Sequence, residues 1–151
     1  MIEAKIKELG YTLPEPAKPL AAYIPAIKID KFVYTAGQLP STNGQLRYKG
    51  KVGFNISEED GQKAAVISLL NCLAVIKSVC GDLDQIEQVI KLTVFVNSAD
   101  GFINQPMVAN GASELLIKIF GDAGKHVRSA VGVNELPVDA PLEIEMVVKL
   151  K

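Results

Sequence analysis

The stretch His126-Val127-Arg128-Ser129-Ala130-Val131-Gly132-Val133 sets an arginine among residues too small to cover it. Side chains on a strand alternate between faces, so Arg128 shares a face with His126, Ala130 and Gly132, while Val127, Val131 and Val133 point the other way. Alanine and glycine leave a hollow beside the guanidinium, and a guanidinium matches a carboxylate through two parallel hydrogen bonds. Such a site can grip a small carboxylate. It can equally be a structural ion pair with Glu143 or Glu145 across a terminal hairpin, and residue type alone does not separate the two readings.

Other chemistries find little support. His126 is the single histidine and no carboxylate–histidine cluster accompanies it, so no metal site is expected. A Ser-His-Asp triad would need His126 as its base, and no G-x-S-x-G elbow occurs. Gly121-Asp122-Ala123-Gly124-Lys125-His126 has a superficial likeness to a phosphate loop. It lacks the full G-x-x-x-x-G-K-[ST] spacing and follows a predicted helix instead of a strand. No dinucleotide fingerprint is present, so no cofactor is expected. Cys72 and Cys80 fall eight residues apart in one predicted helix, about 12 Å along its axis, too far for a disulfide. They read as small buried hydrophobes.

The elements that must position Arg128 follow from periodicity and punctuation. A short helix occupies the first ten residues and ends at Gly10, and a proline-rich connector runs from Leu13 to Pro19. Strands are expected at Tyr23–Ile29 and Phe32–Ala36 around an Asp30-Lys31 turn. Gly37–Ser41 is a loop, and the Asn43-Gly44 turn leads into a short extended piece near Leu46–Tyr48. Ser57 caps a helix whose apolar stripe runs Ala65, Leu69, Cys72, Leu73, Ile76 and Cys80, and Gly81 stops it. Ile86–Val96 is a long strand. A second long helix starts near Pro106, ends near Gly121 and buries Val108, Ala112, Leu115, Leu116, Ile119 and Phe120. The strands Val127–Val133 and Leu142–Leu150 close the chain, joined by Asn134–Pro141. The order predicts an α+β domain: a single mixed sheet with two helices on one face and a short N-terminal helix. The last strands are apolar on both sides, so the helix-free face needs a cover, and another copy of the chain supplies one. If the last two strands pair about Pro137-Val138, Glu143 faces Gly132 and lies about 13 Å along the sheet from Arg128.

A chain of 151 residues suits one domain, 1–151, with residues 1–19 as helical extension and connector. At 48% hydrophobic and 22% charged it is globular. The net charge of −1, with scattered lysines and arginines, argues against nucleic acid as the main partner. No run of eighteen apolar residues suggests a membrane span, and the charged N-terminus does not read as a signal peptide, so a cytoplasmic location is expected.

Several stretches together resemble one family. The run from Arg128 to Glu145, including Glu135-Leu136-Pro137 and Glu143-Ile144-Glu145, is similar to the C-terminal signature of the YjgF/Rid family, the reactive intermediate deaminases. Tyr34–Pro40, Asn71–Ala74, Gly81–Asp84 and Val89–Asn97 fit it too, in order. The resemblance runs from about residue 20 to the end and is nearest to a longer bacterial branch carrying an Asn110-Gly111-Ala112-Ser113 segment. It implies a chorismate-mutase-like fold and homotrimers with clefts between subunits. It also implies hydrolysis of reactive enamines and imines such as 2-aminoacrylate to a 2-keto acid and ammonia. Endoribonuclease activity or translation inhibition, and non-catalytic carboxylate binding or chaperoning, are the alternatives.

By this resemblance Arg128 binds the substrate carboxylate and Glu143 positions water. Tyr23 and Asn110 line the cleft, and the Gly37 carbonyl faces the substrate nitrogen. Ala36 stands where the archetypes have a serine, removing a hydroxyl donor. Ala130 stands where many have a cysteine, leaving the backbone N–H groups there to bind the carboxylate. Plainer readings stay open: Glu143 as a structural residue, Tyr23 packed at a rim, Asn110 solvated, His126 incidental to the surface.

Overall fold

The computed structural model describes residues 1–19 and 22–151. Its longest element begins where the chain supplies a cap. The Ser57 hydroxyl accepts a hydrogen bond from the Asp60 N–H at 3.1 Å, and Glu58, Glu59 and Asp60 occupy the first turn, where the helix dipole favours negative charge. From there α2 runs over Glu58–Cys80 and stops at Gly81, whose φ of 85° suits glycine. Helix α3 spans Gln105–Phe120 with Pro106 in its first turn, and α1 spans Ile2–Glu8.

Among the described residues seven strands complete the fold. They are β1 Ala26–Ile29, β2 Phe32–Thr35, β3 Ser41–Thr42, β4 Gln45–Leu46, β5 Ile86–Asn97, β6 Val127–Val133 and β7 Leu142–Leu150. The main sheet has the order β1-β2-β7-β5-β6, with β5 and β6 parallel and every other pair antiparallel. A parallel pair needs a crossover, and α3 provides it. β3 and β4 form a separate two-stranded hairpin around Asn43 and Gly44, both at positive φ, as the Asn-Gly signal demands.

One face of the sheet carries the core. Val33, Leu92, Val94, Val96, Leu142, Ile144, Met146 and Val148 are buried against α2 and α3. The middle of α2 is buried all round: Leu70, Asn71, Ala74 and Val75 join the expected stripe. By length and composition α2 could cross a membrane, and 61% of its most apolar window is buried inside the fold. At the α2–α3 contact the helices approach closely over Gly111, where a Cβ would lie 2.4 Å from the Gln62 carbonyl oxygen.

The expectation that β6 and β7 form a hairpin is incorrect. β5 lies between them, and Asn134–Pro141 steps over its end. That end is tied down by Asn97. Its N–H donates to the Pro141 carbonyl at 2.9 Å, and its side-chain amide donates to the Gly50 carbonyl and to Asp139 Oδ1, each at 3.2 Å. Arg128 is therefore in register with Leu92, and Leu92 with Met146, while Glu143 is in register with Phe95, and Phe95 with Val131.

Among the described residues no helix covers the second face. It carries the row Ile27, Tyr34, Val147, Lys91, Val127, then Glu145, Thr93, Ser129, then Glu143, Phe95, Val131. Five of its apolar side chains, Ile27, Ile29, Tyr34, Val127 and Val131, are 44–65% exposed.

Candidate active site

Arg128 points to the helix side of β6 and meets α3. Its Nη1 donates to Asn110 Oδ1 at 2.8 Å and to Ser113 Oγ at 3.1 Å, and its Nη2 donates to the Pro106 carbonyl at 3.4 Å. Asn110 and Ser113 face it together because they are three residues apart on one helix. A guanidinium has five N–H donors. Three are engaged here, all by neutral groups, which leaves Nε–H and one Nη2–H for a ligand. Ala130, half-buried, sits on the same face of the strand and adds no bulk. At Gly132 a Cβ would come within 3.0 Å of Gln105 Nε2 and Ser98 Oγ.

No carboxylate lies within ion-pair distance of Arg128 among the described residues. Glu143 and Glu145 stand on the opposite face of the sheet, two strands away. The structural ion-pair reading is thereby overturned.

A second cluster forms around Gly37. A Cβ built there would lie 2.2 Å from Glu143 Oε1, so the glycine exists to let the carboxyl lie against the backbone. Gln38 holds this loop to β7: its N–H donates to the Ile144 carbonyl at 2.7 Å and its carbonyl accepts from the Ile144 N–H at 3.0 Å. Buried Asn71 on α2 holds it from below, donating to the Leu39 and Ser41 carbonyls at 3.0 and 2.8 Å. Burial pushes the Glu143 carboxyl above the usual carboxylate range, and Glu145 adds to the effect. Ala36, in the archetypal serine's place, bonds through its N–H to the Pro25 carbonyl and has no side-chain hydroxyl to offer.

Tyr23 precedes β1 and is 48% exposed. β1 and β6 are the two edges of the sheet, four strand spacings apart, or about 19 Å. Within one chain the expected residues thus gather as two half-sites, Arg128 with Asn110 and Gly37 with Glu143, and Tyr23 stands apart from the arginine. A shallow depression of about 290 Å³ on the helix-free face, lined by Tyr34, Lys91, Thr93, Glu145 and Val147 among others, contains none of these residues.

Two polar residues of the site escaped sequence reasoning. Both lie on helices: Ser113 touches Arg128, and Asn71 holds the loop that follows Gly37. A signal existed for Ser113, since it is one turn from Asn110. Thiol chemistry is out of reach at Cys72, where burial pushes the thiol up to about 12 and Sγ donates to the Ile144 carbonyl at 3.4 Å.

The family model described as "YjgF/chorismate mutase-like, putative endoribonuclease" matches residues 3–149. The chain belongs to the YjgF/Rid family. The match takes in the N-terminal helix as well as the sheet. Protein TCP17 of Trypanosoma cruzi is 37% identical over 99% of this chain and 94% of its own. The crystal structure of Atu1372, a protein of unknown function from Agrobacterium tumefaciens, is 40% identical with a TM-score of 0.92, covering 99% of this chain and 92% of that one. A putative endoribonuclease from Shewanella oneidensis is 31% identical with a TM-score of 0.96, covering 99% of both chains. The chorismate-mutase-like α+β fold expected of a Rid-family chain is the one observed.

Proposed function

We propose that this protein hydrolyses reactive imino acids to 2-keto acids and ammonia, as a homotrimer whose clefts lie between subunits. The observation that carries the reading is Arg128 braced by neutral partners with two donors left free. A structural arginine would be neutralised by a carboxylate. One held ready without one suits an incoming carboxylate.

The chemistry asks little of the protein. An enamine first tautomerises to the imine, and the protonated imine, R–C(=NH2⁺)–COO⁻, adds water at the imine carbon. The C–N bond then breaks, the water oxygen becomes the keto oxygen, and ammonium leaves. Arg128 holds the carboxylate, with the Ala130 backbone beside it. Glu143, whose proton affinity is raised by burial, orients the water. The Gly37 carbonyl accepts from the iminium, and Asn110 fixes Arg128. Within one chain Glu143, with Gly37 against it, faces away from Arg128, and Tyr23 lies at the other edge of the sheet, so all three reach the cleft from a neighbouring copy. Fixing the reactants in this geometry contributes most of the rate.

The family description also names an endoribonuclease. Metal-independent RNA cleavage needs a free general acid and base, and both nitrogens of the only histidine are occupied by Ser113 and the Gly124 carbonyl. Imine hydrolysis is therefore favoured. The test is to add the protein to a pyridoxal-phosphate serine or threonine dehydratase reaction and follow keto-acid release. Faster release is expected, and an unchanged rate would refute the proposal.

A further inference from the structure

His126 is tied into the Arg128 site by a chain of hydrogen bonds whose direction can be worked out. Its Nδ1 lies 2.6 Å from the Gly124 carbonyl oxygen. A carbonyl only accepts, so Nδ1 carries the proton, and in the neutral ring Nε2 is left with its lone pair. Ser113 Oγ is 2.9 Å from that nitrogen, so the hydroxyl donates to it. The hydroxyl's own lone pair then faces Arg128 Nη1 at 3.1 Å and accepts from it. Every atom has one role: Arg128 donates to Ser113, Ser113 to His126, and His126 to Gly124.

The fixed end of this chain is built in. A Cβ at Gly124 would lie 2.3 Å from the Leu116 carbonyl oxygen, so only glycine brings the turn after α3 this close to the helix and sets its carbonyl under His126. Ser113 comes from α3, Arg128 from β6, and His126 is the residue directly before β6. Ser113 is nine-tenths buried, which leaves its hydroxyl few other partners.

We infer that Ser113 and His126 are positioning residues for Arg128, acting as a directional relay that orients the guanidinium and leaves its Nε–H and one Nη2–H toward the ligand. Without Ser113, Nη1 keeps only Asn110 and Nη2 its long 3.4 Å bond to the Pro106 carbonyl, so the guanidinium turns more readily. With Ser113 as well, both Nη1 protons are claimed. The effect on substrate binding rests on the carboxylate reading of Arg128, whereas the orientation of the side chain does not.

The test is side-chain nitrogen NMR of Arg128 in the full chain, reading the rate of rotation of its guanidinium, together with calorimetric affinity for 2-oxobutanoate as a carboxylate probe. Four proteins are compared: the parent, Ser113→Ala, His126→Asn and His126→Gln. Alanine is favoured in a helix, so Ser113→Ala should fold. Asparagine keeps a donor near Nδ1 but loses the acceptor at Nε2, and glutamine keeps the acceptor. Slow rotation is expected in the parent and His126→Gln. At least about tenfold faster rotation, with about tenfold weaker 2-oxobutanoate binding, is expected in the other two, the loss appropriate to one charge-assisted hydrogen bond. Parent-like rotation in both Ser113→Ala and His126→Asn overturns the relay, even if affinity falls. If the parent fails to bind 2-oxobutanoate, the carboxylate reading fails, and the rotation rates still decide the relay.

Discussion

Every partner of Arg128 is neutral, and that fixes what its removal should do. Arg128→Ala strands Asn110 Oδ1 and Ser113 Oγ beside a half-exposed site that water can enter, and it leaves no carboxylate buried without a counter-charge. Imine turnover should fall roughly 10²-fold or more, the loss of a bidentate charge-assisted pair. The melting temperature should move by no more than about 2–4 °C, the shift equivalent to about 1 kcal/mol at this size. Arg128→Lys should recover little, because an ammonium is a point charge without the planar fork. Turnover and melting measured on the same variants decide the matter: normal turnover, or a collapse in stability, refutes the clamp. Glu143 supplies a prediction with a sign. Burial and Glu145 raise its folded pKa above the ordinary glutamate value, so the folded chain holds this proton more tightly than the unfolded one. Its contribution is favourable at pH below the ordinary value and is lost as pH rises through the raised one. Glu143→Gln, which mimics the protonated form, should melt with the parent near pH 4 and slightly above it at pH 7. The gain should be under about 1 kcal/mol, because the side chain is only partly buried and stays screened by solvent. A glutamine variant melting lower at pH 7 would show instead that a cation from another copy faces Glu143. Turnover in that variant should fall.

At the scale of elements, Gly111 sets how closely α2 and α3 approach. Alanine is worth up to about 1 kcal/mol more than glycine in a helix interior, yet a Cβ here would lie 2.4 Å from backbone, which cannot yield without moving a helix. Gly111→Ala should therefore destabilise by about 1–3 kcal/mol, the range for overpacking, seen as a fall in melting temperature. A stability equal to or above the parent would mean that the helices part easily. These helices were largely legible in the sequence, because Ser57, Gly81 and Pro106 mark their ends and Leu69, Leu73 and Ile76 keep their period. The Asn43-Gly44 turn was legible for the same kind of reason. Burial of Leu70 and Val75 was not, because it depends on what packs over α2, and periodicity reports only one stripe. The pairing of β6 with β7 was misread because closeness in sequence suggested a hairpin. Nine residues alternating from Leu142 to Leu150 belong in the middle of a sheet, and Asn97 is the residue that carries the connection past β5. The site divides in the same way. Arg128, Gly37 and Glu143 were legible through chemistry and resemblance. Ser113 was legible only through its place one turn from Asn110, because a serine in a helix carries no sign of what lies across from it.

For the whole molecule, the fold leaves two things unfinished, and one assembly completes both. The helix-free face keeps Ile27, Ile29, Tyr34, Val127 and Val131 substantially exposed, around the polar groups of Lys91, Thr93 and Glu145. So many apolar side chains exposed on one sheet face suit an interface with a polar centre. The Arg128 cluster and Tyr23, meanwhile, occupy opposite edges of one sheet, so a cleft containing both needs an edge from each of two copies. A closed ring uses the same contact repeatedly and leaves no edge unpaired, and three subunits satisfy the family resemblance. The protein should sediment as a trimer at micromolar concentration. Val131→Asp is the sharpest perturbation: it adds a carboxylate to the row that already holds Glu143, on the edge strand of the surface to be covered. Burying an uncompensated charge costs several kcal/mol per copy, enough to dissociate the assembly. Because Val131 is 44% exposed in the single chain, its replacement should leave the helical circular dichroism of each subunit unchanged. Turnover should vanish with the trimer, and 2-oxobutanoate binding should weaken with it. A parent that stays monomeric refutes the assembly. A monomeric Val131→Asp variant with full turnover would place the complete site within one chain, against the four-strand separation of its parts.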